Sequence, residues 1–169
     1  MMFSNKEKRE LYLRKLKQYG EFAEDVLSIL VHDLLVAMIL IAENKEYSKA
    51  IEIIDHYLAD PHEEEVVESL YRMEKGKALY GLGEFIEAIH EFEKVKTPAT
   101  THHPFDLSLF YVRYSYKALC YCELGEIENA LQSAELAVKN FENIPFLPYK
   151  DFAIDTYNAI LAKINPVQY

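Results

Sequence analysis

The chain has 169 residues, 50% of them apolar and 27% charged, a length and composition that bury one core without disulfide or metal staples. Five glycines and six prolines are too few for a loop-rich all-β chain or a disordered one. Eighteen basic against twenty-eight acidic residues leave a net charge of −10, a field that repels phosphate backbones and sets nucleic acid aside as the main partner.

Residues 4–19 read as the first helix. Six cations (Lys6, Lys8, Arg9, Arg14, Lys15, Lys17) stand there against Glu7 and Glu10. With Leu11, Leu16 and Tyr19 inward, the plain reading is an amphipathic helix whose basic face docks on an acidic body. A basic arm for an anionic surface is the sharper alternative. No apolar run precedes Lys6, so no secretory signal and a cytoplasmic location are expected. Residues 21–43 follow, with a break expected near Ser28. From Val26 to Ala42 only Ser28, His32 and Asp33 are clearly polar. That run is short for a membrane span, and an Asp in its middle is costly in lipid. A core or interface helix is expected instead, and no membrane contact.

Helices are then expected over 47–58, 61–82, 85–96, 106–124, 127–142 and 148–163. Asp60-Pro61-His62-Glu63 has the grammar of a helix start: a capping Asp, Pro at the first position and Glu three residues after the cap. Gly83 and Gly125 each end a helix where a left-handed residue is wanted. Thr97–Asp106 is the long polar loop, Pro145 and Pro148 mark a second break, and Pro166 stops the last helix. The apolar residues recur at helical spacing: Tyr47, Ala50, Ile51, Ile54 and Tyr57; Phe85, Ala88, Ile89, Phe92 and Val95; Ile127, Ala130, Leu131, Ala134 and Ala137. No stretch alternates with a period of two for long enough to make a strand. The class is all-α.

Three short turns align: Glu43 to Tyr47, Gly81 to Phe85 and Glu123 to Ile127. Three residues after each turn comes Ala50, Ala88 or Ala130. Small residues there let two helices of a hairpin approach to about 8–10 Å. This pattern resembles the tetratricopeptide repeat (TPR). Gly76, Leu79, Gly83, Phe85, Ala88 and Phe92 carry the resemblance in the middle unit, and Tyr114, Ala118, Tyr121, Gly125, Ala130 and Ala137 in the third. Met38, Ile41, Tyr47 and Ala50 carry it in a degenerate first unit. Arg72 and Lys75 depart from the pattern by replacing apolar residues. The turns recur from 45 to 83 and from 83 to 125, longer steps than the family's usual period of about 34. The long spacing, Tyr-rich first helices and acidic charge are also similar to TPR domains of Gram-positive peptide-pheromone receptors of the Rap and PlcR type. Too few residues precede the first repeat for the DNA-binding or effector domain those proteins carry, so no residue of such a domain is carried over.

The resemblance implies one domain over 1–169. It would be a right-handed superhelix of antiparallel hairpins (26–60, 61–96 and 106–142) with an N-terminal helix over 1–25 and a capping helix over 148–163. It also implies a concave groove lined by the first helix of each hairpin. The groove positions fall on His32, Leu35, Ile39 and Ala42; on Leu70, Met73, Lys77 and Tyr80; and on Val112, Ser115, Leu119 and Cys122. These are mostly apolar. Leu35 and Ile39 stand where a clamp for acidic C-termini needs Lys and Asn, so that clamp is not expected. An apolar face of this extent needs a cover: a peptide or amphipathic helix of another protein, the chain's own first helix, or a second copy.

The remaining chemistry is sparse. His56, Asp60, His62 and Glu63, or His102, His103 and Asp106, could approach a metal, but neither set has a ligand spacing such as H-E-x-x-H. His32 reads as a hydrogen-bonded core or interface histidine, with Asp33 turned about 100° away from it. Cys120 and Cys122 diverge on a helix and read as free thiols. No nucleophile elbow, phosphate loop or dinucleotide fingerprint is present. The expectation is a non-enzymatic interaction module without cofactor or metal. A homodimeric scaffold joined through 26–42 is the second reading, and a metal-assisted hydrolase using His56 and His62 the third.

Overall fold

The computed structural model describes residues 5–23, 26–59, 65–97, 103–144 and 147–164. They fall into two units, Met1–Asp60 and Pro61–Tyr169. Every element among them is helical, and no strand occurs among the described residues. The expected cap at Asp60-Pro61-His62-Glu63 and the centre of the 97–106 loop lie outside them.

The first unit holds α1 (Asn5–Ala23), α2 (Val26–Ile39) and α3 (Tyr47–Ala59), with α2 packed against both of the others. Helix α1 runs to Ala23 and α2 runs unbroken through Ser28, so the boundary expected between 19 and 21 and the break expected near Ser28 are absent. Leu34, Ala37 and Ile41 from α2 and its extension, and Ala50, Ile54 and Tyr57 from α3, are the buried apolar positions. Their spacings, i, i+3, i+7 and i, i+4, i+7, put each set on one helical face.

The second unit holds α4 (Glu65–Leu82), α5 (Phe85–Lys94), α6 (Pro104–Glu123), α7 (Ile127–Phe141) and α8 (Leu147–Ile164). Pro104 takes the first helical position, where a missing N–H costs nothing. Each helix packs on the next, and α6 also packs on α4 and α8. Ala118, Cys122, Ala130, Ala134 and Ile160 form one buried cluster across α6, α7 and α8. The departure at Arg72 has a cause. Its guanidinium donates to Glu68 at 2.7 Å within α4 and to Glu91 of α5 at 3.0 Å, tying the hairpin with charge where the repeat pattern has an apolar residue.

The aligned turns share a backbone. Lys45, Gly83 and Gly125 all have positive φ, at 58°, 83° and 77°. In the second and third turns the residue after the glycine donates its N–H five residues back, Glu84 to Leu79 and Glu126 to Tyr121. That bond closes a Schellman cap. In the first turn Glu46 donates six residues back, to Leu40, and Leu40–Asn44 is wound as a π-helical turn. One extra residue is therefore absorbed before the same cap. The following helices begin alike: Ala50, Ala88 and Ala130 donate to Glu46, Glu84 and Glu126, and all three alanines are buried.

A left-handed lysine costs about 1–2 kcal/mol, against about 0.4–1 kcal/mol of chain entropy that a glycine adds to the unfolded state. Lys45→Gly is expected to raise stability by about 0.5–1 kcal/mol, and Gly83→Ala to lower it by a similar amount. A Cβ on Gly83 meets nothing within 4 Å, so the cost there is conformational. Urea denaturation of both variants checks the pair. Opposite signs are required; a neutral Gly83→Ala would rule out the left-handed turn.

Candidate functional site

The first unit carries an apolar cleft of about 350 Å³ between α1 and α2. Arg9, Tyr12 and Leu13 line it from α1; Leu35, Met38 and Ile39 line it from α2; Ala42 and Glu43 enter from the π-helical turn. The α2 residues are those left over once Leu34, Ala37 and Ile41 have turned into the core. Leu35 and Ile39 are half-buried and Tyr12 is 61% exposed, so the cleft is open at the tyrosine side. At its rim the Arg9 guanidinium meets the Glu43 carboxylate with both nitrogens, one of them donating to Oε2 at 2.8 Å. This fork fixes α1 against the end of α2, although both partners remain exposed enough for solvent to weaken the pair.

Of the residues the sequence placed on a groove, Leu35, Ile39 and Ala42 share this cleft. His32 does not line it; its side chain is 13% exposed, and Nδ1 lies 2.7 Å from an Asp33 carboxylate oxygen. The expected divergence of these neighbours does not prevent contact, because the short Asp side chain swings across the helix surface to the ring.

The other eight expected residues lie in the second unit. Met73, Val112, Ser115 and Cys122 are buried, while Leu70, Lys77, Tyr80 and Leu119 are half-buried. Helix α6 packs on α4 and α8, so part of the face the repeat register leaves open is helix–helix contact in this unit. Tyr116, which sequence reasoning passed over, is its hub. The Tyr116 ring lies 5.7 Å from Tyr80 of α4, 5.8 Å from Phe92 of α5 and 5.3 Å from Phe152 of α8. Burial pushes its phenol up from the ordinary value. A buried ion pair sits beside these rings: Lys77 Nζ is 2.5 Å from Glu74 Oε1, with side chains 15% and 7% exposed. Burial disfavours the Lys77 ammonium, but the Glu74 carboxylate more than offsets this and holds its pKa above the ordinary lysine value. The other Glu74 oxygen and the Ser115 hydroxyl are buried without a hydrogen-bond partner among the described residues.

A cleft of about 430 Å³ between α7 and α8 is larger, with Val138, Phe141, Ile154 and Tyr157 in its lining. Its charged residues, Glu135, Lys139, Glu142 and Lys150, alternate in sign and define no electrostatic preference. Cys120 and Cys122 are both free and buried on α6. Burial pushes the Cys120 thiol up to about 12, so it stays protonated at neutral pH and is a poor nucleophile. Among the described residues no three His, Cys, Asp or Glu side chains converge as a metal site. Asp60, His62, Glu63 and His102 lie outside the described residues. No described helix is long and apolar enough to cross a membrane.

Comparison with known proteins found no matching family model, no similar curated protein and no similar solved structure.

Proposed function

We propose that the protein is a non-enzymatic interaction module of the TPR-like kind that binds a peptide or an amphipathic helix of another protein. The observation that carries this reading is the open apolar cleft between α1 and α2. Its lining residues Leu35, Met38, Ile39 and Ala42 repeat at the i, i+3, i+4, i+7 spacing that a docked helix or peptide reads as anchor sites. A right-handed superhelical stack of hairpins accounts for the packing order of α4 to α8, and for three turns that share one left-handed cap. A cytoplasmic location is part of the same proposal.

The second reading, a homodimeric scaffold joined through 26–42, draws on the apolar character of α2 and the exposure of Val31, 37% on that helix.

Native mass spectrometry of protein purified from its own host separates the two. The binding reading expects one chain plus the mass of a retained peptide or protein. The scaffold reading expects two chains and nothing more. Leu35→Glu puts a charge on the apolar wall and is expected to weaken retention at least tenfold, at about 1.4 kcal/mol per decade, with helical circular dichroism unchanged. Retention undiminished by this substitution would remove the cleft from the proposal. Met73 is unsuitable for the same test, since its side chain is buried and a charge there would unfold the hairpin.

A further inference from the structure

The sequence places six cations in the first nineteen residues, and the helical register of α1 sets which of them flank the cleft-lining stripe. At about 100° per residue, Arg9, Tyr12, Leu13 and Leu16 share one stripe of α1. Lys6 and Lys17 fall on one side of that stripe, with the exposed Glu10 beside them, and Lys8 and Lys15 on the other. All four lysines are exposed, and none is ion-paired among the described residues, whereas Arg9 is held by Glu43. An apolar floor thus has flanks of net positive charge along its α1 wall.

We infer that the occupant of this cleft is an acidic amphipathic helix: apolar anchors on one face, carboxylates beside them. The inference rests on the binding reading above and adds the charge of the partner. The anchors would enter between Tyr12 and Leu35, and the flanking carboxylates would reach Lys6, Lys8, Lys15 and Lys17. The chain's net charge of −10 does not oppose this, because charges further off than a Debye length of about 8 Å are screened at physiological salt. A recessed cleft suits an inserted side chain better than a flat bilayer.

The test uses the full chain and two synthetic eighteen-residue peptides. Both carry Leu at helical i, i+3, i+4, i+7 positions; one has Glu at the flanking positions and the other Lys. Fluorescence anisotropy reads binding at low salt and at 0.5 M salt, and circular dichroism confirms that each variant is folded. The Glu peptide is expected to bind at least tenfold tighter than the Lys peptide, and the difference should shrink at 0.5 M salt. Reversing all four lysines (K6E, K8E, K15E and K17E together) should invert the preference, while Leu35→Glu weakens both peptides. Equal binding of the two peptides, sensitive to Leu35→Glu, would overturn the acidic partner and leave the binding reading standing. Tighter binding of the Lys peptide would overturn it in the same way. Binding of neither would overturn the acidic partner, and the retained mass from the host would then decide the binding reading. Binding to phosphatidylserine-containing vesicles but to neither peptide, lost on lysine reversal, would assign the lysines to a membrane and overturn the proposal.

Discussion

Lys77→Met is expected to lower the stability of the second unit by about 3 kcal/mol at neutral pH. The substitution keeps the length and apolar stem of the side chain but removes the charge that faces Glu74. That carboxylate is 7% exposed, and its second oxygen already lacks a hydrogen-bond partner among the described residues. Breaking a buried pair from one side leaves an uncompensated charge and costs about 3–5 kcal/mol. The lower end applies because Lys77 keeps 15% of its side chain exposed, so solvent reaches the site. Glu74→Leu combined with Lys77→Met should recover most of the loss, since neither charge then needs burial. The pH dependence has a definite sign. The folded-state pKa of Lys77 is raised, so its contribution is complete below the ordinary lysine value of 10.5 and fades as pH rises through the higher folded value. The gap between the wild type and Lys77→Met should therefore hold across the neutral range and narrow only above pH 10.5. Urea titrations at pH 7 and pH 11 read both effects. A loss under about 1 kcal/mol at pH 7 would mean that the pair is screened as a surface pair is.

Gly76→Ala is expected to cost about 2 kcal/mol, although alanine is the better helix former. A Cβ built on Gly76 falls 2.4 Å from Phe92 Cε1, 2.7 Å from Cδ1 and 2.8 Å from Cζ. The ring has little room to retreat: Phe92 is 1% exposed and stacks on Tyr116 at 5.8 Å. Overpacking of this kind costs about 1–3 kcal/mol, with the upper end suited to so short a contact. The helix-propensity gain of roughly 1 kcal/mol offsets part of it. Glycine is thus used for close approach of α4 and α5, and its conformational freedom is not what the site requires. Phe92→Leu alone loses ring contacts, but in the double variant it makes space for the new methyl. The two substitutions should be non-additive by more than 1 kcal/mol, with the double variant better than the sum. A Gly76→Ala variant more stable than the wild type would contradict the close approach.

The three aligned turns were the most legible feature of the chain. Ala50, Ala88 and Ala130 are small where helices meet, and Gly83 and Gly125 report left-handed backbone directly. Lys45 was legible only by alignment with those glycines, since a lysine carries no such signal. The π-helical turn at Leu40–Asn44 was not legible, because one added residue barely disturbs an apolar period. The boundary expected between 19 and 21 was also misplaced, since α1 continues to Ala23.

Part of the candidate cleft was legible. The register of the resemblance set Leu35, Ile39 and Ala42 on one face, and these residues line the cleft, but the opposing wall was not foreseen, because nothing in α1 announces which of its residues face a cleft. Met73, Val112 and Ser115 were placed on an open groove by register, and they are buried. Register assigns a face to a helix but does not say how closely α6 approaches α4 and α8. The Lys77–Glu74 pair is an i, i+3 contact within α4, and its sequence spacing was available. Lysine was nevertheless read as a handle for a ligand, because its burial depends on Tyr116 and its neighbours, which come from elsewhere in the chain.

The order of packing in the second unit also bears on how quickly it assembles. Among the described residues each of α4 to α8 packs on the next helix, and the remaining close backbone packing reaches only to the next but one, α4 with α6 and α6 with α8. Most pairings among these helices therefore do not wait for distant ends of the chain to meet. Loop-closure entropy is therefore repaid in small instalments, one hairpin at a time. Helical proteins with such low contact order fold in about microseconds to milliseconds. A refolding phase of seconds in this unit would then report an isomerising X–Pro bond, such as the one preceding Pro104 or Pro148, and not a search for topology.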